Sequence, residues 1–268
     1  MRPRPSTYRQ NPNRTPSRHS LTVSTAIAIN VAANTNLPGF RGPIYPDGSF
    51  GYLPIPEREQ TTEPVPTYGD LLDELDPLPF AVDDEIRSLP VHLDPEFAGY
   101  PTCSQYTYGD EHGVKAGPLS ELDPGDSLYF YATLTRHESP DSVETGPTVD
   151  WVAPDWGAYL IGEFRVDRVY DTAACEELTP ADRQPVASNA HCKRDPFDAK
   201  ALVVGSDDSQ LFDRAVPLSS PDSGSTANRI VTELSNDSGK GPWWRRRLWF
   251  DADATERLRA IVDGERSI

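Results

Sequence analysis

The sequence predicts an α+β protein built on a bent, mostly antiparallel β-sheet, with short helices and long loops. Residues 125–134 are aromatic and β-prone, and residues 156–170 end in alternating apolar and charged side chains. Alternation at a period of two is typical of a strand with one buried face. The 27 prolines among 268 residues disfavour long helices, because each proline removes a backbone donor and disturbs the preceding turn.

Shorter elements are predicted along the rest of the chain. The apolar run at residues 21–29 favours a buried first strand, and Pro46-Asp47-Gly48 predicts a hairpin turn whose second strand runs to Pro56. Helical patterns occur at residues 68–75, 173–178, 210–215 and 251–262, and short strands are predicted at residues 89–96 and 201–205.

The N-terminus differs in composition from the remainder. Residues 1–20 contain five arginines and no acidic residue, with little apolar surface to bury, so we expect a disordered basic tail. Residues 21–268 are then expected to form a single domain. The tail has the composition of an arm for nucleic acid or of an extension outside the domain, and we favour the second over an arm or a secretory signal.

Charge and cysteine content predict the cellular environment of the protein. The net charge is −17, and only four of the 25 basic residues are lysine. Such an acidic surface suits a salt-rich cytoplasm, so we expect a halophilic, cytoplasmic protein. The three cysteines have no CxxC spacing and fit neither a disulfide framework nor a zinc site. No run approaches the roughly 18 apolar residues of a membrane helix, so no membrane partner is expected.

Two pairs of polar residues suggest a binding site. His92 and Asp94 are two apart on a short predicted strand, so they would face the same side. The alternative is a turn in which Asp94 caps the backbone before Pro95. Asn189 and His191 would also share a face if their segment is extended. The candidate ligand-binding residues are Asp126, Tyr131, Asn189, His191 and Arg194, followed by His92 and Asp94. In this hypothesis the amide and imidazole read base edges, the tyrosine stacks and the arginine meets phosphate.

Common catalytic signatures are absent. The chain has no GxGxxG, GxxxxGK[ST], HExxH or GxSxG motif, so no cofactor is assigned. A metal triad of His92, Asp94 and His191 is conceivable. We favour His191 as a hydrogen-bonding residue in a base or phosphate pocket and assign no metal. Residues 243–250 hold three tryptophans and three arginines, which fit a nucleic-acid surface and a structural closing strand equally well.

The ordered motifs resemble the nucleotide modification associated domain 3 family over most of residues 26–249. The resemblance rests on Ile44-Tyr45-Pro46-Asp47-Gly48, Leu53-Pro54-Ile55-Pro56, His92-Leu93-Asp94-Pro95, Gly125-Asp126-Ser127-Leu128-Tyr129-Phe130-Tyr131, Tyr159-Leu160-Ile161-Gly162-Glu163-Phe164, Asn189-Ala190-His191 and Phe212-Asp213-Arg214-Ala215-Val216-Pro217-Leu218. It implies an association with DNA-base modification in phages and prokaryotic defence. The order of strands and Asn-x-His also resembles PUA-like open barrels that bind modified bases.

These observations together predict a protein that binds a nucleotide or a modified base in nucleic acid. One alternative is a nucleotide-modifying enzyme in which His191 or Asp94 is the general base. Another is an interaction subunit of a DNA modification or defence system that has no ligand of its own.

Overall fold

A mixed β-sheet of eight strands organises the fold. The computed structural model of the protein describes residues 24–266 apart from residues 112, 140–145, 180, 182, 184 and 185. The strands in chain order are β1 (Ala26–Asn30), β2 (Pro43–Ile44), β3 (Ile55–Pro56), β4 (Val91–His92), β5 (Thr107–Asp110), β6 (Ser127–Arg136), β7 (Trp156–Tyr170), β8 (Ala201–Gly205), β9 (Gln210–Pro217), β10 (Ser219–Ser220), β11 (Ser223–Ala227) and β12 (Leu248–Phe250).

The main sheet has the order β12-β1-β6-β7-β8-β5, with β2 added to β6 and β9 added to β7. Strands β1 and β2 run parallel to β6, and the other pairs of this sheet are antiparallel, which confirms the mostly antiparallel prediction. The sheet is not closed into a barrel. Strands β3 and β4 form a separate small sheet, as do β10 and β11.

Short helices surround the sheets. The α-helices are α1 (Tyr68–Glu74), α2 (Asp84–Arg87), α3 (Gly113–Ser120), α4 (Thr172–Glu177) and α5 (Ala252–Arg266). The 3₁₀ turns are Ala190–Lys193 and Trp243–Arg245, and a π turn covers Ile230–Leu234. Helix α1 begins after Thr67, which forms a capping box with Asp70. Helices α1, α4 and α5 confirm the helices predicted around residues 68–75, 173–178 and 251–262.

Both faces of the central strand β6 are buried. Phe130 belongs to one apolar cluster and its neighbour Tyr131 to a second one. In the first cluster the Phe130 ring lies 5.4 Å from that of Phe97 and 4.6 Å from that of Phe164, measured between centroids. A strand covered on both sides needs apolar residues at successive positions, which explains why residues 125–134 lack a clean alternation.

The prediction of one or two helical turns at residues 210–215 is wrong. This segment is part of β9, which pairs antiparallel with β7 through contacts such as Leu160 with Val216. A short apolar run cannot be assigned to helix or strand from its periodicity alone. The neighbouring edge of β7 therefore decides the conformation of this segment.

The predicted turn at Gly48 is present, but the hairpin is shorter than expected. Gly48 has φ +85°, and a Cβ atom there would lie 2.5 Å from the Trp151 ring. An antiparallel bridge between Ile44 and Phe50 joins the two sides of the turn. Strand β3 pairs instead with β4, where Ile55 lies opposite His92. The predicted tail at residues 1–20 lies outside the described residues.

Candidate functional site

A cavity of about 240 Å³ lies beside the end of β1, strands β3 and β4 and the end of β5. Its apolar lining includes Val31, Ala32 and Ile55. The rest is polar or ionisable, and includes both His92 and His191. Convergent polar groups in a concave site are typical of ligand-binding cavities, and here they outnumber the apolar residues.

His92 is held by a carboxylate from the neighbouring strand. Because Ile55 pairs with His92, Glu57 follows directly beyond the small sheet, and its Oε2 lies 2.6 Å from His92 Nδ1. Burial alone would raise the pKa of Glu57, but hydrogen bonds from His92 and Arg194 outweigh it and lower the pKa to about 2. An ionised carboxylate only accepts hydrogen bonds, so His92 Nδ1 carries the proton.

His191 lies on the 3₁₀ turn rather than on an extended segment. Asn189 caps this turn, since its Oδ1 accepts a hydrogen bond from the His191 amide at 3.0 Å. The expectation that residues 189–191 are extended is therefore wrong, because an asparagine at this position favours a turn. His191 Nδ1 lies 2.7 Å from Asp198 Oδ1, which gives His191 the same arrangement that Glu57 gives His92.

Asp94 lies between the two imidazoles. Its Oδ1 accepts hydrogen bonds from the Gly109 amide and from Asn189 Nδ2, both at 2.8 Å. Its Oδ2 faces His92 Nε2 at 4.0 Å and His191 Nε2 at 3.7 Å. Burial raises the pKa of Asp94 to about 7, against the opposing influence of His191 and of the two hydrogen bonds.

Gly109 allows this close arrangement. A Cβ atom at position 109 would lie 2.5 Å from His191 Cδ2 and 2.9 Å from Asn189 Oδ1. Real Cβ atoms do not approach other atoms so closely, and both neighbours are fixed by hydrogen bonds to Asp198 and Asp94. The position therefore needs a residue without a side chain.

Arg194 forms ion pairs with the carboxylates that contact the two histidines. Its Nη2 donates to Glu57 Oε1 at 2.9 Å, and its Nη1 donates to Asp198 Oδ2 at 2.6 Å and also to Glu111. Burial opposes ionisation of Asp198, but hydrogen bonds with His191, Glu111 and Arg194 hold its pKa below the usual range. The guanidinium thus fixes the two carboxylates that orient the histidines.

The resulting arrangement can bind a cation or act on a substrate. With each Nδ1 donating to a carboxylate, both Nε2 atoms carry lone pairs that face the cavity beside Asp94 Oδ2. The three ligand atoms lie within 4.8 Å of one another. A second group, formed by Glu111, His191 and Asp198, meets the same distance limit.

The structure brings together five of the seven candidate residues predicted from sequence. They are His92, Asp94, Asn189, His191 and Arg194. His92 and Asp94 both line the cavity, although β4 ends at His92 and Asp94 lies beyond it. Asn189 and Arg194 act on the other members of the site, because their polar atoms are engaged with Asp94, Glu57 and Asp198.

The other two candidates, Asp126 and Tyr131, are not brought to this cavity. Asp126 accepts hydrogen bonds from the amides of Thr25 and Asp123 and thereby shapes the turn before β6. Tyr131 is fully buried in the second apolar cluster, and its hydroxyl donates to the Arg246 carbonyl. Its ring therefore has no face open for stacking.

Three residues of the site have no clear signal in the sequence. Glu57 follows a proline-rich strand, Asp198 lies in a loop, and Gly109 is one of 18 glycines. Only the pairing of β3 with β4 and the turn after Asn189 bring the two acids to the histidines. An acid directly after the short strand ending at Pro56 is the one pattern that could have suggested Glu57.

A second cavity of about 160 Å³ adjoins the first, because Asn30 and Asn34 line both. It is also lined by Arg41, Trp244 and Arg245. Part of the tryptophan- and arginine-rich segment therefore faces this cavity. Another part is structural: Trp243 is fully buried, and Arg246 forms an ion pair with Asp237 at 2.6 Å.

Arg41 is held in place at the second cavity. Its Nε donates to Thr133 Oγ1 at 3.2 Å, and its guanidinium lies 4.6 Å from the centroid of the Trp156 ring. Trp156 in turn contacts Trp244 edge to face, with 5.2 Å between centroids. Cation–π contact of this kind favours a fixed guanidinium beside an aromatic surface.

Fold and site together define an α+β protein with a buried histidine–carboxylate cavity. The chain belongs to the nucleotide modification associated domain 3 family, whose family model matches residues 25–260. No curated protein matches the chain, and no solved structure matches it. Among the described residues, none of the helices combines the length and apolar character needed to cross a membrane.

Proposed function

We propose that the protein is a nucleotide-modifying enzyme whose reaction centre is the cavity of His92, Asp94 and His191. The observation that carries this proposal is the convergence of two imidazole Nε2 atoms and one carboxylate oxygen on the same space. Each imidazole is oriented by its own carboxylate, as reactive histidines commonly are. Membership of the nucleotide modification associated family supports a nucleotide or a nucleic-acid base as the substrate.

The second cavity is the proposed site for the phosphate. The protein has a net charge of −17, and the first cavity and its surroundings are rich in carboxylates, which repel an anion. Arg41 and Arg245 are the cationic groups in the adjoining space, and Trp244 offers an aromatic edge there. A nucleotide with its phosphate at these arginines would place its base or sugar beyond Asn30, at the histidines.

A protein that only reads a modified base is less well supported. In that hypothesis Asn189 reads a base edge and Arg194 meets phosphate. However, the Asn189 amide is engaged with Asp94, Thr107 and the His191 backbone. Arg194 is engaged with three carboxylates. Both residues therefore support the histidines, which favours a reaction centre over a surface that reads bases.

Nucleotide binding is tested by intrinsic tryptophan fluorescence during titration with nucleoside 5′-monophosphates. Trp244 lines the second cavity and contacts Trp156, so a bound nucleotide should change the tryptophan emission. Arg41→Ala and Arg245→Ala should each weaken binding about tenfold, which corresponds to about 1.4 kcal/mol. Arg229→Ala is the matched control, since Arg229 is exposed and lines neither cavity.

Modification is tested in an expression host, which supplies small-molecule co-substrates. Mass spectrometry of nucleosides from its DNA and nucleotide pool should reveal a product with the wild-type protein and none with Asp94→Asn. If the nucleoside profiles with the wild-type protein and with Asp94→Asn are the same but nucleotides bind, the protein binds nucleotides without modifying them. Equal nucleotide affinity of the Arg41, Arg245 and Arg229 variants would remove the proposed phosphate site.

A further inference from the structure

His92, Asp94 and His191 have the geometry of a metal centre with three protein ligands. The distances from Asp94 Oδ2 to the two Nε2 atoms, 4.0 and 3.7 Å, are too long for hydrogen bonds. In a tetrahedral site with metal–ligand bonds of about 2.0–2.1 Å, ligand atoms stand about 3.4 Å apart. The two distances from Asp94 Oδ2 therefore exceed this spacing by about 0.6 and 0.3 Å, and the two Nε2 atoms lie within 4.8 Å of each other.

The supporting residues set the correct form of each ligand. Glu57 and Asp198 accept from the two Nδ1 atoms at 2.6 and 2.7 Å, which leaves each Nε2 lone pair directed at the cavity. Carboxylate–histidine pairs of this type commonly stand behind metal-binding histidines. Asp94 is oriented in the same way, because the Gly109 and Asn189 donors bind Oδ1 and leave Oδ2 to the cavity.

The charge around the cavity also favours a cation. The carboxylates are Glu57, Asp94, Asp110, Glu111 and Asp198, and the permanent cations are Arg194 and Lys115. Negative charge therefore exceeds permanent positive charge. The second group of possible ligands, Glu111, His191 and Asp198, already has a cation, because Arg194 Nη1 donates to both of its carboxylates.

We propose that His92 Nε2, His191 Nε2 and Asp94 Oδ2 bind one divalent transition-metal ion. Two imidazoles and one carboxylate suit ions such as Zn²⁺, Co²⁺ or Fe²⁺, and three protein ligands leave positions for water or substrate. Metal binding itself does not depend on the proposed function. The role of the open positions does, because they would face a nucleotide bound in the two cavities.

The first experiment is a titration of the full chain with CoCl₂ in 1 M KCl, which screens weak binding to surface acids. We expect one Co²⁺ per chain by calorimetry, with a d–d absorption band of low-symmetry cobalt, and displacement of the cobalt by Zn²⁺. Apo protein that takes up no Co²⁺, or only several weakly bound ions, would overturn the proposal.

Variants locate the site. Asp94→Asn keeps an oxygen for the Gly109 and Asn189 donors but replaces Oδ2 by an amide nitrogen, so the fold should be retained. It should lower Co²⁺ affinity by more than the roughly 10–100-fold that loss of a supporting residue costs. His92→Gln should lower Co²⁺ affinity to a similar extent. It provides a second test of the site if Asp94→Asn does not fold.

The control is His137→Ala, since His137 packs against Phe80 and does not line the cavity. Unchanged cobalt affinity in the Asp94 and His92 variants, or an equal loss in the His137 variant, would contradict the assignment. Metal binding without nucleotide binding would leave this inference standing and remove the proposed function. Nucleotide modification by protein that takes up no Co²⁺ would support the proposed function and overturn the metal-site inference.

Discussion

Gly109→Ala is the most informative single substitution at the site, because one added methyl group must collide with it. The new Cβ would lie 2.5 Å from His191 Cδ2 and 2.9 Å from Asn189 Oδ1. Neither neighbour can withdraw freely, since His191 is bound to Asp198 and Asn189 to Asp94. Overpacking of this kind typically costs about 1–3 kcal/mol.

The expected result is a loss of both stability and ligand geometry. For a chain of this size, 1–3 kcal/mol corresponds to a fall in Tm of about 2–12 °C. Displacing His191 also disturbs the position of one proposed ligand, so Co²⁺ affinity should fall at least tenfold. Thermal unfolding followed by circular dichroism and a cobalt titration measure the two effects.

Gly264→Ala is the matched control for this substitution. Gly264 lies in α5, and a Cβ there meets no atom within 4 Å. Removing a helical glycine should stabilise the protein by about 0.5–1 kcal/mol and leave cobalt binding unchanged. If Gly109→Ala had the same Tm and metal affinity as the wild type, the close packing of the site would be refuted.

Three further predictions concern stability. Phe130→Ala should cost about 3–5 kcal/mol, because its ring packs against Phe97 and Phe164 in the core. Tm should therefore fall by about 6–20 °C, and a fall as small as that of exposed Trp249→Ala would contradict the observed packing. The net charge of −17 should destabilise the fold by repulsion at low salt. Tm should therefore rise between 0.01 M and 1 M KCl, since the Debye length falls from about 30 to 3 Å. A flat or falling curve of Tm against KCl concentration would argue against a salt-adapted protein. Deleting residues 1–20 should change Tm by less than about 2 °C, and a larger fall would show that the tail packs on the domain.

The fold was predictable where the signal is local. Residues 125–134 and 156–170 could be assigned to strands because aromatic and β-branched side chains dominate the first and alternation ends the second. Strand β9 could not, since Gln210–Pro217 takes its conformation from the edge of β7. The parallel pairing of β1 with β6 also depends on contacts about 100 residues apart, which periodicity does not encode.

The candidate site was predictable as two pairs of residues but not as one cluster. His92 with Asp94 and Asn189 with His191 are each close in sequence, so residue type and spacing point to them. Their convergence, and the arrival of Glu57 beside His92, follows from long-range pairing. Spacing also suggested an extended segment at Asn189, where the capping bond to the His191 amide produces a turn.

Tyr131 illustrates the limit of residue type as a signal. An aromatic residue in a β-strand serves equally well for stacking a base and for filling a core, and its position on the sheet decides between them. The face of β6 that holds Tyr131 is covered by Trp243 and by α5 residues such as Leu258. Neither covering segment is near Tyr131 in sequence.

The most direct test of the proposed metal site is an anomalous difference map from crystals grown with CoCl₂. We predict one strong peak per chain, about 2.0–2.2 Å from His92 Nε2, His191 Nε2 and Asp94 Oδ2, with Glu57 and Asp198 on the opposite ring nitrogens. A map without a peak among these three residues, or with its strongest peak on surface carboxylates, would contradict it.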